Sequence, residues 1–238
     1  MSSSSDIEKI IERQARFWEV RERIAEEGGE AARRALAHLA EGPWISISKQ
    51  WGSGCQELAR KLAGELHWQW FDKDILSAIA QHTHSCEEIL SRLDEHAIGG
   101  INDYMAQMVV SEDPGQAAYL QQMVRVVMGL AKQGNAIIVG RGANFYLNPH
   151  FGLRVRLVAP LEARVARVAA MEGLSQISAG PLVERHDAEQ AAFIRQVFGR
   201  DIDDPLGFDL VLNMGGLDED TAVHAVLASL RQKLQARS

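Results

Sequence analysis

Residues 44–66 have the sequence WISISKQWGSGCQELARKLAGEL, and this stretch decides how the rest of the chain is interpreted. The apolar-rich run over 44–48 is typical of a strand, and leucines at 58, 62 and 66 share one face of a helix. Gly52 and Gly54 lie between the two segments. The pattern therefore predicts a strand, a glycine turn and an amphipathic helix.

The composition of this turn favours binding of an anion. Gly52 and Gly54 permit positive φ angles, which point backbone N–H groups inward. The helix that begins near Cys55 adds the positive end of its dipole. The alternative is an inert turn between a strand and a helix.

The turn departs from two known phosphate-binding fingerprints. In G-x-x-x-x-G-K-[ST], with Gly54 as the final glycine, the first glycine falls at Lys49 and the lysine at Cys55. The Ser/Thr position falls at Gln56. In G-x-G-x-x-G the third glycine falls at Glu57. Neither fingerprint is matched, so an anion here would be held without the usual lysine.

Strand-like and helix-like segments alternate after the turn. Strands are predicted at 44–48, 68–71, 136–140, 153–159 and 209–214, and helices at 56–66, 161–172, 181–198 and 218–236. Residues 74–133 are mostly helical in pattern, with a break at 112–115. This alternation predicts an α/β fold with a five-stranded parallel sheet and ligands at the carboxyl ends of its strands. Residues 1–40 are predicted to form an N-terminal helical extension of a main domain over 44–236.

Composition narrows the class of protein. The chain has 238 residues, 46% of them hydrophobic, and a net charge of −7, which argues against a binder of nucleic-acid polymers. No apolar run reaches membrane-spanning length, and the two cysteines have neither metal-site nor disulfide spacing. We expect a soluble, cytoplasmic protein without a membrane partner. A homodimer through the N-terminal helices is one expectation for residues 6–40.

Five ordered segments carry a resemblance to a known family: SKQWGSGC (48–55), FDKD (71–74), VGRGA (139–143), APLEARVARV (159–168) and DDPLGFDLVLN (203–213). Together they resemble the cytidylate kinase-like family, a divergent branch of the P-loop nucleoside monophosphate kinases. The resemblance covers about 44–236. It implies a three-layer P-loop kinase fold with a helical acceptor-binding insert near 75–132 and a lid near 164–200.

The resemblance also implies an activity. We expect a phosphotransferase that uses ATP and Mg²⁺ and acts on a nucleoside monophosphate, with CMP or dCMP as the leading acceptor. One alternative keeps the chemistry and changes the small-molecule acceptor. Another is a catalytically weak nucleotide-binding regulatory protein whose helical extension binds a partner. The missing lysine keeps that alternative open.

The resemblance assigns ATP binding to the loop residues Ser48, Lys49, Gly52, Ser53, Gly54, Cys55, Gln56 and Glu57. Cys55 replaces the usual lysine, and Glu57 replaces the usual magnesium-holding Thr. Lys49 is predicted to reach back over the phosphates as a catalytic cation, or else to be a solvated surface lysine. Glu57 is predicted to supply an oxygen to the metal, or else to be an exposed helix carboxylate.

The remaining predicted site residues bind the acceptor or the transferred phosphate. Arg141 follows a buried strand and is predicted to bind the acceptor phosphate in bidentate fashion, or else to pair with a structural carboxylate. The resemblance places Asp72 at the acceptor nucleoside. Arg164 and Arg167 lie three residues apart and therefore share one helix face. The resemblance implies that they are catalytic lid arginines, and the alternative is that they form a solvated helix surface.

One lid arginine of the resembled pattern is missing. The pattern has an arginine three residues after an aspartate, whereas Asp187 is followed by Gln190 at that spacing. Arg185, Arg195 and Arg200 are candidate substitutes, and the sequence does not choose among them.

Overall fold

The computed structural model of the chain describes residues 43–81, 87, 89–90, 98–102, 104 and 114–236. These residues divide into two compact units. The smaller unit takes its described residues from 43–44 and 71–136, and the larger takes them from 45–70 and 137–236. The predicted extension over 1–40 and the His82–Cys86 segment lie outside the described residues, as does part of the predicted insert over 75–132.

A five-stranded sheet lies almost entirely in the larger unit. Its strands are β1 (Trp44–Lys49), β2 (Gln69–Phe71), β3 (Ala136–Val139), β4 (Gly152–Val158) and β5 (Leu210–Asn213), in the spatial order β2-β3-β1-β4-β5. The strands are parallel, and β4 pairs with β5 in a register that sets Val155 opposite Leu210. The predicted five-stranded parallel sheet is confirmed.

Helices flank this sheet, as an α/β fold requires. In chain order they are α1 (Cys55–Leu66), α2 (Lys73–Gln81), α3 (Pro114–Gln133), α4 (Ala143–Tyr146), α5 (Leu161–Glu172), α6 (Gln176–Phe198) and α7 (Glu219–Gln235), with 3₁₀ turns at Pro149–Phe151 and Pro205–Gly207. Helix α6 begins earlier than the predicted residue 181. The reason is a cap: the Ser175 side chain accepts a hydrogen bond from the Ser178 N–H at 3.2 Å.

Alternation along the strands separates the two faces of the sheet. Odd-numbered residues such as Ile47, Val155 and Leu157 join a buried apolar cluster with residues of α1 and α7. Even-numbered Ser48 and Arg156 are also buried but are polar, and they bond to each other. The sheet therefore has one apolar face and one face with polar groups beneath the loop that follows β1.

The smaller unit contains α2 and α3. Tyr119 of α3 donates a hydrogen bond to Ser77 of α2 over 3.2 Å. Helix α3 begins at Pro114, within the predicted break over 112–115, and proline is well tolerated in the first turn of a helix. Within the described ranges, no helix is both long and apolar enough to cross a bilayer.

Candidate active site

Gly54, one of the two glycines in the loop after β1, has empty space where a side chain would lie. Gly54 has a φ of 83° and precedes α1 without offering a side-chain cap. A Cβ built at Gly54 would meet nothing within 4 Å. Because the first N–H groups of a helix have no partner within the helix, this end of α1 is electropositive and accessible to an anion.

Gly52 has a different role from Gly54. Its φ of 82° is also left-handed, but a Cβ at Gly52 would lie 2.6 Å from the backbone oxygen of Arg164 in α5. The missing side chain of Gly52 therefore makes room for a helix, whereas that of Gly54 leaves room for a ligand. Sequence reasoning had given both glycines the ligand role.

A buried hydroxyl group lies in the same loop. Ser53 is 1% exposed, and its Oγ has no hydrogen-bond partner within the part of the chain that the structure describes. A buried polar atom without a partner is costly. A loop that holds such a donor beside the open Gly54 fits an oxyanion ligand.

Cys55 occupies the position where the fingerprint has lysine, and its side chain is in the core. It is 5% exposed and packs in the cluster that contains Leu58 and Leu62. A longer, charged side chain could not be accommodated there without leaving this cluster. At positions 54 and 55 the loop therefore presents backbone groups on its open side.

Three polar side chains near the loop remain at least partly accessible. Lys49, at the end of β1, is partly buried and has no hydrogen-bond or ion-pair partner among the described residues. Glu57 is exposed in the first turn of α1. Gln56 beside it is exposed too. These positions are compatible with the predicted ligand roles, which stay predictions.

A cleft of about 650 Å³ begins at this loop. Six of the residues that line it are Gly54, Glu57, Lys61, Arg167, Met171 and Leu217. The volume lies within the usual range of small-molecule sites. The cleft therefore extends from the open end of α1, and its lining contains both apolar and charged side chains.

The charge of Lys61 in this cleft is already compensated. Its Nζ lies 2.8 Å from Asp220 and 2.9 Å from Glu219. These hydrogen bonds, first to Asp220 and then to Glu219, raise the pKa of the Lys61 ammonium above its usual value. Asp218 nearby caps α7 by accepting from the Thr221 N–H, and this bond lowers the pKa of its carboxyl group.

Arg164 is buried, and two of its guanidinium nitrogens donate to protein atoms. Its Nε donates to the Ala159 carbonyl at 3.0 Å, and its Nη1 donates to the Trp51 carbonyl at 3.3 Å and to Asp187 at 2.5 Å. Arg167 also binds the loop: it donates to the carbonyls of Gly52 at 3.1 Å and Met214 at 2.9 Å. In this conformation both predicted lid arginines hold backbone carbonyls, and their contact with phosphate stays a prediction.

Arg141 lies in a strained turn after β3. Gly140, Arg141 and Gly142 all have positive φ, at 81°, 57° and 68°. A non-glycine residue in this region costs free energy and often marks a functional position. Packing requires a glycine at position 142, because a Cβ there would overlap the ring of Phe198 at the end of α6.

The turn at 140–142 is a neighbour of the glycine loop. Strands β3 and β1 are adjacent in the sheet, and the Gly140 N–H donates to the Ile47 carbonyl at 2.9 Å. Both connections therefore leave the same carboxyl edge of the sheet, which is where open α/β sheets bind their ligands.

A sequence model of the cytidylate kinase-like family matches residues 44–216, which is most of the chain. The chain belongs to this family. Its relatives include a cytidylate kinase from Ignicoccus hospitalis, 28% identical over 76% of this chain and 95% of that protein. A second, from Methanothrix thermoacetophila, is 29% identical over 79% of this chain and 97% of the relative.

One solved structure supports the fold. An uncharacterized protein from Eubacterium ventriosum superimposes with a TM-score of 0.61 at 21% identity, covering 79% of this chain and 98% of its own. Membership in the cytidylate kinase-like family supports a protein of the nucleoside monophosphate kinase type.

Asp72, the predicted acceptor residue of this kinase-like chain, belongs to the smaller unit. Its Oδ1 accepts hydrogen bonds from the N–H groups of Asp74 and Ile75, both at 2.9 Å. Asp72 thus caps α2. A capping carboxylate keeps a second oxygen, so its predicted contact with the acceptor stays a prediction.

A metal ion bound to this protein would take some of its ligands from the phosphate groups of the substrate. Across the described residues, no three His, Cys, Asp or Glu side chains are grouped to hold a metal. Magnesium in nucleotide sites commonly takes one or two carboxylates, phosphate oxygens and water. The exposed Glu57 at the open end of α1 is compatible with that pattern, and its contact with a metal stays a prediction.

Sequence analysis missed Arg156. Its Nη1 donates to Ser48 Oγ and its Nη2 to Asp203, both over 2.8 Å. The guanidinium carbon also lies 5.9 Å from the centre of the Phe208 ring. Arg156 therefore links the end of β1 to the segment that follows α6. Its position in β4 was the available signal, because it lies between the apolar residues Val155 and Leu157 of that strand.

Proposed function

We propose that this chain transfers the γ-phosphate of ATP to a pyrimidine nucleoside monophosphate, with CMP or dCMP as the preferred acceptor. The observation that carries the proposal is the pairing of the open, uncapped end of α1 with the strained Arg141 turn on adjacent strands. Phosphoryl transfer needs a polyanion cradle and a cation at the acceptor in close proximity. The names of the relatives supply the choice of cytidine nucleotides.

The donor would be bound by the loop and the cleft. The N–H groups near Gly54 and the Ser53 hydroxyl would hold the donor phosphates, with Lys49 as an additional cation. The base and ribose would occupy the cleft, where Met171 and Leu217 offer apolar surface. Because Cys55 is in the core, backbone groups would take over part of the role that a lysine has elsewhere.

The acceptor phosphate would be oriented by Arg141. An oxygen of that phosphate forms the new bond to the γ-phosphorus, while the bond from that phosphorus to the β–γ bridging oxygen of ATP breaks and ADP leaves. Charge on the moving group is stabilised mainly by position and by nearby cations. In this proposal, Lys49 and Arg141 supply that positive charge. Magnesium, held by Glu57 together with phosphate oxygens and water, would neutralise further charge when bound.

A coupled assay of ADP formation tests the proposal. Wild-type protein with Mg²⁺ and ATP is tested against CMP, dCMP, UMP, dTMP, AMP and GMP, and turnover should be highest with CMP or dCMP. Lys49→Ala and Arg141→Ala should each lower kcat/KM by about 100-fold or more, which is typical for removal of a charge-stabilising group. Arg60→Ala, an exposed arginine on α1, serves as the matched control with little expected change.

Two outcomes would contradict the proposal. Binding of ATP without turnover on any acceptor would favour the regulatory nucleotide-binding protein, and it would agree with the absence of a lysine at position 55. Turnover that survives both Lys49→Ala and Arg141→Ala would show that the site is assigned to the wrong side chains.

A further inference from the structure

The backbone of the loop residue Trp51 is held at both of its polar groups. Its N–H donates to Asp187 Oδ1 at 3.3 Å, and its carbonyl accepts from Arg164 Nη1 at 3.3 Å. The same Nη1 donates to Asp187 Oδ2 at 2.5 Å. These three hydrogen bonds form a closed ring that joins the Trp51 peptide groups, the Asp187 carboxylate and the Arg164 guanidinium. We call this ring the Trp51 clamp.

Burial makes this clamp strong. The Arg164 side chain is 7% exposed and that of Asp187 is 27% exposed. Charge-assisted hydrogen bonds are stronger than neutral ones, and a low-dielectric environment strengthens them further. Loss of the carboxylate would leave a buried guanidinium without its counter-charge, which is expensive. The clamp therefore holds Trp51 in one orientation.

The side chain of Trp51 supports the same geometry. Its ring lies 4.9 Å from the ring of His186 and packs against a small buried cluster that includes Val168 and Val183. These residues belong to α5 and α6. The α5–α6 hairpin is thus docked on the loop through both the backbone and the ring of one residue.

The sequence of α6 leaves Asp187 available for this task. An arginine three residues later would lie on the same helix face and would compete for the carboxylate, but Gln190 is neutral. The ion pair that the structure shows for Asp187 is with Arg164. Its other oxygen is directed at the loop.

We infer that Asp187 is a positioning residue for the donor phosphates: it acts through the Trp51 peptide, and it contacts neither substrate. This inference rests on the proposed function. Trp51 directly precedes Gly52, so the orientation of its peptide sets the direction of the backbone that leads to the open Gly54. Arg167, which holds the Gly52 carbonyl, continues the same support. Removal of Asp187 should therefore affect ATP and leave the acceptor nearly unchanged.

The test compares KM for ATP with KM for CMP in Asp187→Ala and Asp187→Asn. Asp187→Ala should raise KM for ATP about tenfold or more, as expected for loss of a charge-assisted bond, with KM for CMP within about twofold of wild type. Asp187→Asn keeps an oxygen for the Trp51 N–H and should lose less. Glu189→Gln, an exposed carboxylate on the same helix, is the matched control and should leave both constants unchanged.

Calorimetric titration with ATP and Mg²⁺ separates this inference from the proposed function. If the wild type binds ATP but phosphorylates no acceptor, the proposed function fails, and the ATP affinities of the variants still decide the role of Asp187. If Asp187→Ala does not fold, as its melting curve would show, Asp187→Asn decides, with an expected loss of ATP affinity of at least about threefold.

Three results would overturn the inference. Wild-type ATP affinity in a folded Asp187 variant would show that the clamp does not position the loop. A selective rise in KM for CMP would assign Asp187 to the acceptor. Absence of ATP binding in the wild type would remove the donor loop itself, and the inference with it.

Discussion

The loop at 50–54 and the turn at 140–142 follow neighbouring strands at the same edge of the sheet. They differ in the chemical groups that they offer to an anion. In the loop, the groups proposed to meet an anion are the backbone N–H groups beside the open Gly54 and the hydroxyl of Ser53. In the turn, the strained backbone displays a side-chain cation, Arg141. In the proposed site, an anion would thus be held by the main chain after β1 and by a guanidinium after β3.

The largest expected effect tests the packing of the loop. Gly52→Ala should lower the free energy of unfolding by about 3 kcal/mol or more, because its Cβ would meet a backbone oxygen that cannot move aside. Gly54→Ala has the same left-handed strain but open space, and should cost only about 1 kcal/mol. Urea denaturation measures both. Equal losses would mean that the two glycines do not have different roles.

The next effect concerns the missing lysine. Cys55→Lys should lower the free energy of unfolding by about 2 to 3 kcal/mol, because an ammonium would enter an apolar cluster. It should not improve ATP affinity, since the side chain of position 55 is directed into the core. Cys55→Ala is the control, with a smaller loss from reduced packing. Tighter ATP binding by a stable Cys55→Lys protein would show that the position can serve a ligand after all.

The smallest effect on stability belongs to the turn. Arg141→Gly should be more stable than Arg141→Ala by about 1 kcal/mol, since glycine adopts a φ of 57° without steric strain. Both variants should lose turnover, because the guanidinium is absent from each. Thermal melts and the coupled assay are run together. An Arg141→Gly protein that gains no stability would indicate a turn that is not strained.

Much of the fold was predictable from local pattern. The run AIIV after Asn135 has the continuous apolar character of a strand buried on both faces, and it forms β3. The leucines of α1 have the spacing that places them in the core. Such patterns are set by residues close in sequence, so the chain itself reveals them.

The site was less predictable, because its contacts join distant residues. Arg164 and Arg167 share a helix face, as their spacing requires, but their acceptors in the loop lie more than a hundred positions earlier in the chain. Nothing near Asp187 indicates that it accepts from Trp51. Contacts of this kind depend on how helices dock, and periodicity carries no information about docking.

The sequence by itself determined the order of strands and helices along the chain. It also determined the glycines after β1 that adopt left-handed φ angles and the arginine after β3, because these features follow from residue type and spacing alone. Only the tertiary structure decided that Gly52 makes room for a helix, that Cys55 points into the core, and that Asp187 and Arg164 clamp Trp51. Sterics within a few residues govern the first set. The second set depends on which atoms from separate helices occupy the same small volume.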